Sequence, residues 1–118
     1  MSEHDTLLAL RDALRAFVAE RDWERFHTPK NLAMALAGEA GEVIEHFQWL
    51  SADESANLPE ERRAEVAFEL ADVLLYLVRL ADVLDIDLGE AAQRKLALNA
   101  VRYPADKARG RSDKYDKL

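Results

Sequence analysis

The sequence has no cysteine, only four glycines and three prolines, and 8% aromatic residues in a length of 118. Without cysteine there can be no disulfide, no thiolate metal site and no thiol nucleophile. Alternating apolar and polar stretches are also missing, and Ala, Leu, Glu and Arg dominate, which predicts an all-α fold. Charge interrupts every apolar run within a few residues, which excludes a membrane span. Positive charge is in deficit, at a net −7. Such a surface repels polyanions, so polymeric nucleic acid is not an expected partner. The opening Met1-Ser2-Glu3-His4-Asp5 lacks a basic-then-apolar profile, so a cytoplasmic protein is expected. At 49% hydrophobic content this length supports one compact domain.

What is present is helical periodicity. A first helix is predicted from about Glu3 to Trp23, burying Leu7, Leu10, Leu14, Phe17 and Val18. Thr28 followed by Pro29 reads as an N-cap with proline in the first turn, opening a second helix through about Leu50. Ser51 to Asn57 reads as a polar connector, and Pro59 starts a third helix through about Leu84. Asp87 with Glu90 reads as the capping box of a fourth helix, which Tyr103-Pro104 ends. The domain is placed at residues 1–104, with a loosely held polar, basic tail at 105–118.

Two acid pairs share one spacing, Glu39 with Glu42 and Glu69 with Asp72. At 100° per residue, Val43 falls about 40° from Glu39 and Glu42 about −60°; Val73 and Asp72 repeat those offsets about Glu69. Both helices thus set carboxylates at the edge of an apolar sector, where packing side by side would converge all four. An isolated pair at this spacing is ordinarily a solvated face. The repeated phase, and a Gly38 and Gly41 frame that costs helix stability of about 1 kcal/mol per glycine, argue for a buried site. Converging carboxylates need a cation or must take up protons. All-oxygen ligands favour Mg²⁺, with Mn²⁺ as a substitute. Lys95, Asn99 and Arg102 fall at i, i+4 and i+7, a face suited to phosphate oxygens. Trp23, Phe26, His27, Trp49 and Tyr76 could border a base.

These residues resemble the MazG-like all-α nucleoside triphosphate pyrophosphohydrolases, and within them the dCTP pyrophosphatase branch. The matching stretches are Glu20 to His27, Asn31-Leu32, Gly38 to Glu42, Phe47 to Trp49, Glu69 to Val78, Lys95, Asn99 and Arg102 to Pro104. The resemblance implies a four-helix bundle completed by oligomerisation, as a homotetramer built from dimers. It implies Mg²⁺ held by Glu39, Glu42, Glu69 and Asp72, and a base and sugar bordered by Trp23, His27, Trp49 and Tyr76. Lys95, Asn99 and Arg102 would contact phosphates, including those bound by a neighbouring subunit. The expected reaction is cleavage of a (d)NTP, dCTP or a modified dCTP, to monophosphate and pyrophosphate, as nucleotide pool sanitation, with Glu39 or Glu42 accepting a proton from water. Leu14 departs from the pattern, since that branch tends to carry a histidine there in the base pocket. His46, beside Glu39, replaces an apolar residue and reads as an interface or supporting group. Two rival readings are a di-iron carboxylate bundle, for which the one Glu-x-x-His is Glu24 to His27, and a catalytically silent helical regulator.

Overall fold

The computed structural model describes residues 3–118. The described residues form six α-helices and no strand: α1 (Glu3–Glu20), α2 (Pro29–Glu45), α3 (Ala52–Ala56), α4 (Glu60–Val83), α5 (Leu88–Arg102) and α6 (Ala105–Ala108). The four long helices are those the periodicity predicts. The chain divides into two compact units, one ending at Ile86 and the other spanning Asp87–Leu118.

In the first unit α4 packs against both α2 and α1. Val18, Leu32, Val66, Val78 and Ala81 are its buried apolar residues. Of the stripe expected on α1, Val18 is buried, Leu7, Leu10 and Leu14 are half-buried, and Phe17 is exposed. Val78 is core, whereas Ile44 is 58% and Phe68 77% exposed.

Helix ends differ from expectation where local hydrogen bonding outcompetes periodicity. α1 stops at Glu20, not Trp23, because Asp22 takes a left-handed φ of 55°. Asp22 N–H then donates to the Ala19 carbonyl and Trp23 N–H to the Val18 carbonyl, a Schellman closure. α4 closes the same way: Asp85 has φ 55°, its N–H donates to the Asp82 carbonyl and Ile86 N–H donates to Ala81. α2 ends at Glu45, not Leu50, and residues 46–49 continue as turns. The expected connector holds α3, whose capping box pairs Ser51 Oγ with Glu54 N–H and Glu54 Oε1 with Ser51 N–H.

The start of α2 is as predicted: Thr28 Oγ1 accepts from Asn31 N–H at 3.2 Å, with Pro29 in the first turn. In the second unit, the Asp87 carboxylate accepts from Glu90 N–H at 3.1 Å and opens α5. Residues 105–118, read as loose, carry α6 and a 3₁₀ turn at Tyr115–Lys117. The Tyr115 ring meets Tyr103 edge-on at 6.1 Å and lies under the Arg102 guanidinium at 4.8 Å. Aromatic and cation–π contacts thus tie the segment to the end of α5. No helix among the described residues is long and apolar enough to cross a membrane.

Candidate active site

Because α2 and α4 lie together, their acid pairs meet. One oxygen each from Glu39, Glu69 and Asp72 lie within 4.8 Å of one another. Glu42 is outside that triplet, yet its carboxyl is within hydrogen-bonding reach of both Glu39 and Glu69. Burial, with Glu42 hydrogen bonding and the neighbouring negative charges, pushes the Glu39 carboxyl above the usual carboxylate range. Glu69 is pushed up as well, first by its hydrogen bond with Glu42, then by burial and the charges of Glu42 and Asp72, with His46 partly opposing. Glu39 Oε2 and Glu69 Oε2 are buried and have no hydrogen-bond partner.

Acceptors left without donors in a crowded anionic spot are what a hard cation repairs. At the Mg–O distance of about 2.1 Å, opposite ligand oxygens stand about 4.2 Å apart. The observed spread of at most 4.8 Å therefore closes around one divalent ion with a small side-chain movement. The residues fit the group.

His46, on the turn after α2, stands at the edge of this cluster. Its Nε2 is 4.0 Å from Glu69 Oε1 and its Nδ1 is 3.9 Å from Glu65 Oε2. Neither distance is a hydrogen bond; the ring is a neighbour of Glu69. An added Cβ at Gly38 or Gly41 would meet nothing within 4 Å, so nothing in this chain requires glycine there.

Next to the acids is a cavity of about 220 Å³, lined by Leu14, Phe17, Val18, Trp23, His27, Asp72, Leu75, Tyr76 and Arg79. Asp72 belongs to both features. The Schellman turn after α1 delivers Trp23, whose ring packs edge-on against Phe17 at 5.8 Å. A 3₁₀ turn, Glu24–Phe26, then carries the chain to His27, whose N–H donates to the Glu24 carbonyl. Asn31 Nδ2 braces that turn through the Phe26 carbonyl at 3.0 Å. His27 Nδ1 accepts from Arg79 Nε at 3.0 Å. Burial and the adjacent Arg79 charge lower the His27 pKa, so the ring is held neutral. With that nitrogen taken by a guanidinium, and outside the acid triplet, His27 is poorly placed to serve a di-iron centre.

The structure thus brings together Glu39, Glu42, Glu69 and Asp72, and separately Trp23, His27 and Tyr76 around the adjoining cavity. Trp49 is not in that lining and is 86% exposed on the turn after α2. Lys95, Asn99 and Arg102 follow one face of α5 in the second unit. Arg79 escaped the sequence reading, although it lies seven residues past Asp72 and so on the same side of α4. Its cavity partner Leu14 was read as part of the α1 stripe and as a departure from the family pattern.

Residues 35–118 match the MazG-like family. The chain is 45% identical to dCTP pyrophosphatase 1 of Mus musculus and to that of Homo sapiens, over 99% of this chain and 70% of each relative's length. A pyrophosphatase of known crystal structure from Archaeoglobus fulgidus DSM 4304 is 44% identical and superposes with a TM-score of 0.78, covering 88% of this chain and 95% of that one. The chain belongs to the MazG-like family.

Proposed function

We propose that this chain is a divalent-metal-dependent nucleoside triphosphate pyrophosphohydrolase that converts dCTP, or a modified dCTP, to the monophosphate and pyrophosphate. The observation that carries this reading is Asp72, shared between a cluster of carboxylates and a cavity with aromatic walls. One molecule can lay a base in the cavity while its phosphates reach the acids. The likeness to two dCTP pyrophosphatases and a pyrophosphatase supports the same chemistry.

Glu39, Glu42, Glu69 and Asp72 would hold Mg²⁺, with Mn²⁺ as a substitute. When bound, the ion neutralises phosphate charge and makes water a better nucleophile. Glu39 or Glu42 takes the proton from the water that attacks the α-phosphorus in line. A carboxyl raised above the ordinary range, as Glu39 is, is the better proton acceptor near neutrality. Trp23 and Tyr76 offer ring faces to the base, and neutral His27 borders it with its Nδ1 already accepting from Arg79. Trp49, solvent-exposed in this chain, would join only by closing over bound nucleotide. Lys95, Asn99 and Arg102 supply cationic and amide donors to phosphate oxygens, reaching those held by a neighbouring subunit of a homotetramer. The exposed Ile44 and Phe68 support such assembly, since apolar surface of that size gains from cover.

The direct test incubates the protein with a nucleotide panel and Mg²⁺ and separates the products. Monophosphate with pyrophosphate is expected. Release of orthophosphate would refute the bond assignment, and full activity in Glu42→Gln would remove the carboxylates from the mechanism. A catalytically silent regulator would release neither product.

A further inference from the structure

One face of α4 carries Asp72, Tyr76 and Arg79, at i, i+4 and i+7, and all three line the cavity. Seven residues at 1.5 Å each span about 10 Å, comparable with the reach from a base to its 5′-phosphate. An acid stands at one end of this line and a guanidinium at the other. Arg79 is 9% exposed. Its Nε donates to His27 Nδ1 at 3.0 Å and its Nη1 to Asp82 Oδ2 at 3.4 Å. Asp82 is itself clamped by Arg15, Nε to Oδ2 at 2.8 Å and Nη2 to Oδ1 at 2.6 Å.

A guanidinium has five N–H donors and no acceptor. The two contacts leave one N–H on Nη1 and both on Nη2 without an acceptor among the described residues. No nitrogen of Arg79 is both buried and unpartnered, so Nη2 is accessible at the cavity wall, where an incoming acceptor can meet it. Elsewhere the lining is apolar at Leu14, Phe17, Val18 and Leu75, or aromatic at Trp23 and Tyr76. Arg79 is the permanently cationic group in this wall, and the chain from Arg15 through Asp82 together with His27 fixes the plane of its fork.

Resting on the function proposed above, we infer that Arg79 is the base-recognising residue, donating from Nη1 and Nη2 to two adjacent ring acceptors, N3 and O2 of cytosine. Uracil and thymine carry N–H at N3, so donor would face donor and the fork rejects them. Recognition therefore comes from α4, while the α1 position facing the same cavity is the apolar Leu14. Lysine cannot substitute, because a point charge lacks the two parallel donors.

The test compares the full-length wild type with Arg79→Gln and Arg79→Lys in the presence of Mg²⁺, measuring kcat/KM for dCTP, dUTP and dTTP with product separation. The wild type is expected to prefer dCTP. Both variants should lose roughly 10- to 100-fold on dCTP, the scale of one bidentate base contact, chiefly through KM. On dUTP they should change by less than about threefold, since no such contact is lost there. That ratio does not move when a variant is merely less well folded. Should Arg79→Gln not fold, Arg79→Lys keeps a cation beside Asp82 and carries the test, supported by metal-free quenching of tryptophan fluorescence by dCMP against dUMP. A wild type inactive on every triphosphate sinks the functional reading. Activity on dCTP with its preference intact in the variants, or a wild-type preference for dUTP, sinks the role of Arg79 alone.

Discussion

Replacing Asp82 by asparagine removes one charge from a site that joins two arginines, and the structure fixes how much that costs. The Asp82 side chain is 8% exposed and accepts three hydrogen bonds, two from Arg15 and one from Arg79. Arg15 is 52% exposed, so on losing its partner it returns to water and its share is about 0.2–1 kcal/mol. Arg79 cannot follow. Breaking a fully buried pair costs about 3–5 kcal/mol, and with His27 still accepting from Nε the share for Arg79 falls to about 2–3 kcal/mol. The total is about 2–4 kcal/mol. An unfolding entropy of about 2.1 cal/mol/K per residue gives roughly 0.25 kcal/mol/K for a chain of this length. Asp82→Asn should therefore lower Tm by roughly 8–16 °C in a far-UV circular dichroism melt at fixed protein concentration. Arg15→Lys, which keeps an exposed cation beside Asp82, should lower it by less than about 4 °C. A shift within about 2 °C for Asp82→Asn, or equal shifts for the two variants, would refute the claim that the burial of Arg79 dominates.

Burial and mutual repulsion raise Glu39 and Glu69, so the folded chain binds their protons more tightly than the unfolded one. Their contribution to stability is then fully present below the unfolded carboxyl pKa of 4.5 and is lost as pH rises through the folded values. The Glu39→Gln/Glu69→Gln variant should accordingly gain in metal-free Tm relative to wild type as pH rises from 4.5 to neutrality. It should also lack the Mg²⁺-induced rise in Tm expected of the wild type at neutral pH. A parallel pair of pH profiles would refute the repulsion, and an undiminished Mg²⁺ effect would refute the ligand assignment. Asp22 holds a left-handed φ of 55°, a region glycine enters without strain, so Asp22→Gly should stabilise by about 0.5–1 kcal/mol in urea denaturation. Destabilisation there would mean that the Asp22 side chain contributes more than its backbone geometry costs.

The sequence alone settled the helical class and the four long elements, because the spacing of apolar residues is a local property of the chain. It also settled which carboxylates share a helix face, since Glu39 with Glu42 and Glu69 with Asp72 follow from 100° per residue. Helix ends were less legible. Left-handed closures at Asp22 and Asp85 and the capping box at Ser51 and Glu54 depend on a few hydrogen bonds that periodicity does not register. Only the tertiary structure decided that Glu39, Glu69 and Asp72 come within 4.8 Å of one another, that Asp72 also borders a cavity, and that Trp49 stands outside it. It alone placed Arg79, because two of the groups that make a buried guanidinium tolerable, His27 and, through Asp82, Arg15, lie 52 or more residues away in sequence. Helical phase orients each side chain about its own axis, whereas the neighbours it meets are set by packing between axes.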